Sequence, residues 1–128
     1  MKDETIVWLS YAEENLLAAR LLLEQGLYNP CLQNIQQSVE KGLKALLLEK
    51  THSYRKTHSI TELVNLLTAD DIDVNLTVED CDLLDSIYLP SKYPLGSVLP
   101  NFEPDDDLCC HCLSLAQNAV ERIKRELG

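Results

Sequence analysis

Glycine and proline are scarce, at 4 Gly and 5 Pro in 128 residues. That scarcity argues against a disordered, collagen-like or many-turned all-β chain and points to a helical or mixed one. No apolar run reaches the roughly 18 to 20 residues that a membrane span requires. The opening Met1-Lys2-Asp3-Glu4 lacks the basic-then-apolar layout of a signal peptide. Together these absences predict a cytoplasmic protein with no membrane association. Five cysteines are an odd number, and three crowd into Cys109-Cys110-His111-Cys112, which suits reduced thiols better than a secreted disulfide framework. Basic residues are few: 11 Lys and Arg stand against 21 Asp and Glu, for a formal charge of −10. Between Asp70 and Asp107 eleven acids face Lys92 alone, which leaves ten acids and ten bases elsewhere. Such a balance argues against binding duplex DNA or anionic membrane, both of which draw on clustered Lys and Arg, while leaving room for a local basic cleft.

What remains is the composition of an ordinary folded chain, 45% hydrophobic and 25% charged. Its length suits one domain, residues 1–128, able to fold on apolar burial without a disulfide or a metal. Apolar residues recur at helical spacing. Trp8, Ala12, Leu16, Ala19 and Leu23 form a stripe on a first helix from about Asp3 to Gln25, which Gly26 ends. Asn29 as N-cap and Pro30 at the first helical position open a second helix to about Lys50, with Leu32, Ile35, Val39, Gly42, Leu43 and Leu46 within an arc of about 100°. Gly42 on that arc lets another helix approach closely.

Ser59-Ile60-Thr61-Glu62 reads as a capping box for a short third helix ending near Ala69, with Ile60, Leu63, Val64 and Leu67 inward. Thr77 and Asp80 open a fourth, carrying Val78, Cys81, Leu84 and Tyr88 until Pro90 stops it. Pro90 to Pro104 is an irregular connection. The last helix begins in Asp105-Asp106-Asp107 and ends in Arg122, Lys124 and Arg125, in accord with the helix dipole, with Leu108, Cys112, Leu115, Ala119, Ile123 and Leu127 inward. The prediction is an all-α, five-helix up-and-down bundle with a long N-terminal helical hairpin.

Chemistry gathers in two places. On the second helix Gln33, Gln37, Glu40 and Lys44 share an arc of about 60° opposite the apolar stripe, and spacing alone makes this a solvated face with an exposed Glu40–Lys44 pair worth a few tenths of a kcal/mol. Between the second and third helices lie His52, Tyr54, Arg55, Lys56 and His58. Arg55 and Lys56, with Lys41 and Lys44, would form the one positive patch on an acidic chain. Unpaired N–H groups at the start of the third helix would add to it, an arrangement suited to phosphate; solvated bases and a turn histidine are the structural alternative. Cys109 and Cys112 lie three apart on the last helix, but tetrahedral zinc needs two further ligands and Cys112 falls on the apolar stripe, so a small core residue is the reading. No metal or cofactor is assigned, and no Gly-rich phosphate loop, nucleophile elbow or His-Glu-x-x-His pattern occurs.

The order of these segments resembles the HEPN family, helical domains of higher eukaryotes and prokaryotes associated with nucleotide binding. The resemblance rests on the long first helix, Gly26-Leu27-Tyr28-Asn29, then Gln37-Ser38-Val39-Glu40-Lys41-Gly42-Leu43-Lys44-Ala45-Leu46, then Thr57-His58-Ser59-Ile60 with Leu63, then Lys92-Tyr93-Pro94. It implies an up-and-down bundle, a homodimer, and a nucleotidyltransferase partner in a toxin–antitoxin type pair. Many members are metal-independent RNases in which an Arg and a His, with four to six residues between them, meet across a dimer cleft. Here only two residues separate Arg55 from His58, and no other Arg has a His in range. The resemblance therefore carries no catalytic residue. It carries Glu40, Lys41, Lys44, His58, Lys92 and Tyr93 as ligand-binding positions, to which the basic patch adds Arg55. At Lys92 some members have Arg, whose bidentate fork Lys lacks. The expected function is a nucleotide- or nucleotidyltransferase-binding module. The alternatives are an RNase using a displaced pairing of His58 with Arg55 or Lys92, and an acidic protein-interaction scaffold.

Overall fold

The protein is described by a computed structural model covering residues 1–88 and 104–128. Five helices are present among the described residues, and no strand: α1 (Asp3–Glu24), α2 (Tyr28–Thr51), α3 (Ile60–Ala69), α4 (Val78–Ser86) and α5 (Asp106–Leu127). The expected stop at Pro90, Lys92, Tyr93 and nearly all of the Pro90–Pro104 connection lie outside the described residues.

α2 is the centre of the bundle, packed against α1, α3 and α5. Its predicted stripe of Leu32, Ile35, Val39, Gly42, Leu43 and Leu46 is buried throughout, and from Gly42 to Leu48 every residue is buried. Only Lys44 interrupts the apolar run at that end, and a helix so largely apolar has to be surrounded, as this one is. At Gly42 α5 comes close: a Cβ there would stand 3.0 Å from Ile123 Cδ1, with Ala12 Cβ of α1 at 3.8 Å.

The α1–α2 hairpin turns at Gly26, whose φ of +71° is a left-handed conformation that costs glycine little. Its N–H reaches Leu23 O at 3.0 Å while Leu27 N–H reaches Leu22 O at 2.9 Å, closing the free carbonyls of α1. Lys2 fastens the other end. Its backbone N–H donates to Glu49 Oε1 at 2.9 Å, and its ammonium donates to the carbonyls of Leu48 and Glu49 at 3.1 Å each, a cation at the negative end of α2. The Lys2 N–H holds the Glu49 carboxyl below the usual carboxylate range.

Several local expectations change. α2 starts at Tyr28 with Leu27 at the N-cap and no side-chain cap bond, so Asn29 and Pro30 lie inside its first turn. Trp8 and Leu23 are only half-buried and Thr5 takes a core place, because α1 turns its Trp8 edge toward the polar side of α2. Ser59 Oγ accepts the Glu62 N–H at 3.1 Å, but the reciprocal arm of the box is replaced: Ser59 N–H donates to Thr57 Oγ1 at 3.1 Å. Thr77 and Asp80 do form both arms, at 3.1 and 3.0 Å. Val78 is exposed at the start of α4, although Cys81 three residues on is buried. In α5 the buried face is Cys109, Cys112, Leu113, Ala116, Ala119, Val120 and Ile123; the expected Leu108, Leu115 and Leu127 are at its half-exposed margins.

Candidate functional site

The polar arc of α2 is not solvated. Glu40 and Lys44 are buried, and their side chains meet at 3.0 Å in the i,i+4 arrangement the spacing gives. Two neighbours cover them. α1 presents Trp8 and the α2–α3 loop presents Tyr54; these rings pack edge to face with centroids 5.2 Å apart. The Lys44 ammonium lies 5.6 Å from the Trp8 centroid and 5.9 Å from that of Tyr54, so its charge is met by a carboxylate and two π-faces.

Glu40 has both oxygens engaged. Oε2 accepts from Lys44, while Oε1 accepts from Gln36 Nε2 at 3.3 Å and lies 3.1 Å from His58 Nδ1. Because Glu40 can only accept when ionised, this contact assigns the proton to Nδ1 and places Nε2 on the far edge of the ring. The His58 side chain is 61% exposed, yet its ring is held by Glu40 and by stacking on Tyr88 at 5.0 Å, while the residue's backbone carbonyl accepts from Gln36 Nε2 at 3.1 Å. An exposed ring fixed in this way is preorganised for contact with something outside the bundle.

Lys41 occupies the next turn, where it donates to Asn15 Oδ1 at 3.1 Å and lies 5.6 Å from the Tyr11 centroid; Asn15 in turn donates to Asn34 Oδ1 at 2.9 Å. It thus continues a cation-on-aromatic seam between α1 and α2 that Lys44 and Trp8 begin. Arg55 turns away to Glu62, at 3.8 Å with both side chains well exposed. The start of α3 is closed. Asp85 on α4 accepts from Ile60 N at 2.6 Å and Thr61 N at 3.1 Å, so the N–H groups expected to add to a phosphate site are already bound to a carboxylate. Of the seven expected ligand positions, Glu40, Lys44 and His58 converge, Lys41 is adjacent, Arg55 is engaged elsewhere, and Lys92 and Tyr93 lie outside the described residues.

Sequence reasoning missed Gln36, Trp8, Tyr54 and Tyr88 as members of this cluster. Gln36 and Glu40 one turn apart carried a usable signal; Tyr54 and Tyr88 reach it through tertiary packing that no local spacing encodes.

The cysteines take no part. Cys109 and Cys112 are in the core, and burial pushes both thiols up to about 12. Cys109 Sγ lies 3.6 Å from Tyr28 O, and Cys31 Sγ lies 3.3 Å from Ala19 O. Among the described residues no group of three or more His, Cys, Asp or Glu could hold a metal ion. No helix among them is long and apolar enough to cross a membrane.

A family model described as HEPN domain matches residues 6–127. TT1696 from Thermus thermophilus is similar in structure, with a TM-score of 0.77 and 25% identity, over 98% of this chain and 99% of that one. ST0689, an archaeal HEPN homologue, superposes with a TM-score of 0.74 and 26% identity over the full length of both chains. No curated protein matches the sequence.

Proposed function

This chain belongs to the HEPN domain family, and from that membership we propose that it is a nucleotide-binding helical module, the non-catalytic partner of a nucleotidyltransferase in a toxin–antitoxin type pair. The observation that supports the reading is the fixed, outward-facing His58 ring above the Glu40–Lys44 pair, bordered by Trp8, Tyr54 and Tyr88. Aromatic faces suit a nucleobase, since stacking contributes about 1 to 3 kcal/mol per base. Glu40 cancels the charge of Lys44, so on this reading phosphate is met by Lys41, next to the pair on α2. Titration calorimetry with ATP and AMP tests this. His58→Ala and Lys41→Ala should each weaken binding about tenfold, the loss of one hydrogen-bonding or stacking contact, with little change in melting temperature. Absence of binding by the wild type, or unchanged affinity in both variants, removes the reading.

One observation favours a second reading, a metal-independent RNase. A carboxylate on Nδ1 with Nε2 at the exposed edge is the arrangement that lets a histidine exchange protons with a substrate hydroxyl. The family's Arg spacing is absent and Arg55 faces Glu62. Cleavage of single-stranded RNA by the wild type, lost in His58→Ala, would select this reading over the first.

A further inference from the structure

We propose that the cavity at the C-terminal ends of α2 and α3 binds one α-amino acid with an apolar side chain, its carboxylate on Arg55 and its ammonium on Asp70. The cavity is about 320 Å³ and lies between the two helices and the loop that joins them, with Leu47, Leu66, Ala69 and the Tyr54 ring as its apolar walls. That volume is at the small end of the roughly 300 to 1,000 Å³ that ligand sites span, so it suits a molecule smaller than a nucleotide. The loop is set locally. His52 takes a left-handed φ of +64°, which turns the chain off the end of α2, and Thr51 Oγ1 donates to Ser53 O at 2.9 Å. Tyr54 and Arg55 follow at once and close the cavity.

Charge selects the ligand. α3 ends at the cavity in a conflict: its C-cap is Asp70, a carboxylate at the negative end of the helix dipole, and its last turn holds no basic residue. Asp70 enters no ion pair among the described residues. A ligand ammonium placed there is met by the carboxylate and the dipole together. Arg55 lines the same cavity with the opposite sign. Its contact with Glu62 is 3.8 Å long between exposed side chains, a weak hold that leaves most of its five N–H donors for a carboxylate, which a guanidinium can grip with two parallel bonds. One cation and one anion at the rim of a small apolar cavity fit a zwitterion. A molecule of either sign alone would bring its charge beside one of the same sign.

Tyr54 connects the cavity to the rest of the bundle. Its ring also packs edge to face on Trp8, with 5.2 Å between centroids, and Trp8 is the only tryptophan in the chain. A ligand against Tyr54 therefore changes the surroundings of a single fluorophore. The inference does not rest on the nucleotide reading, because Arg55 and Asp70 are not among the groups that hold His58.

Titration of the full chain with L-leucine, read by Trp8 fluorescence and by calorimetry, is the test. Leucine should bind saturably with no nucleotide present. N-acetyl-leucine lacks the ammonium and leucinamide lacks the carboxylate, and each should bind at least about tenfold more weakly, the loss of one hydrogen-bonded charge. Glycine keeps both charges without the apolar side chain, and its affinity should be lower on the order of a hundredfold. Arg55→Gln and Asp70→Asn should each weaken leucine binding about tenfold with the circular dichroism spectrum unchanged. Leucinamide binding should fall in Asp70→Asn but not in Arg55→Gln. Absence of any heat or fluorescence change with leucine, equal affinity for leucine and either blocked form, or full affinity in both variants would each overturn the inference. ATP titrated against the same protein reports the nucleotide reading separately.

Discussion

The Asp85 carboxylate accepts the Ile60 N–H at 2.6 Å and the Thr61 hydroxyl at 2.6 Å, joining α4 to the start of α3. Thr61 N at 3.1 Å and Ser59 Oγ at 3.3 Å complete a set of four donors around one side chain. A carboxylate at the positive end of a helix, accepting from its free N–H groups, does what a bound phosphate would do there. The bundle has filled this anion site from within.

Removing that carboxylate should therefore do two things. Asp85→Ala should cost on the order of 2 kcal/mol in urea denaturation, typical of losing hydrogen bonds to a charged group. It should also open the α3 terminus, so inorganic phosphate should raise the variant's melting temperature more than the wild type's. Equal phosphate response in the two proteins would mean that the freed N–H groups are taken by another part of the chain.

The buried Glu40–Lys44 pair calls for a different comparison. Lys44→Met leaves Glu40 covered and short of its strongest donor, and breaking a buried pair from one side costs about 3 to 5 kcal/mol. Glu40→Gln with Lys44→Met leaves no charge behind, and most of that loss should return. If the double variant is as unstable as Lys44→Met alone, the carboxylate is not what makes the single variant fail.

These two sites also mark where the sequence was legible. Helix positions, the α2 core stripe and the stop at Gly26 followed from periodicity and capping, which are local. The motif positions Glu40, Lys44 and His58 were legible too, and they converge. Their burial was not legible, because a polar arc on α2 reads as solvated until α1 and the α2–α3 loop are placed over it. Trp8 and Tyr54 come from segments 36 and 10 residues away from Lys44, and no helical period links them. The closed start of α3 was hidden for the same reason, since Asp85 is 25 residues from Ile60.

Thiol chemistry should follow burial. Burial raises Cys81 to about 11 and both Cys109 and Cys112 to about 12, against an ordinary value near 9; Cys31 also moves upward, as does Cys110 through desolvation and its contact with Asp106, so access is what distinguishes Cys110. Cys110 is exposed. At pH 8 the native protein should release about one thiol's worth of signal with a disulfide reagent, and all five only in denaturant. The same shifts have a sign for stability. A thiol held protonated by the fold stabilises it without pH dependence below pH 9, where both states keep the proton. Above that the unfolded chain loses protons first, so stability should fall as pH rises from about 9 toward 12. Replacing Cys112 by Ala should flatten that fall; an unchanged slope would assign it to other groups.

Gly42 offers a test in which two principles pull in opposite directions. Alanine is preferred over glycine inside a helix by about 0.8 to 1 kcal/mol. Against this, the added methyl would stand 3.0 Å from Ile123 Cδ1, and crowding a packed core costs about 1 to 3 kcal/mol. The contact is with the tip of one side chain, so the penalty should be at the lower end of that range and Gly42→Ala should be mildly destabilising. Ile123→Val removes Cδ1 itself. In that background the nearest remaining contacts are Ala12 Cβ at 3.8 Å and Val120 Cγ2 at 3.9 Å, ordinary van der Waals distances, and Gly42→Ala should become stabilising. A double-mutant cycle by urea denaturation reads the difference directly. Additive effects would show that Ile123 turns aside at no cost, and that the close approach of α5 to α2 does not depend on glycine at this position.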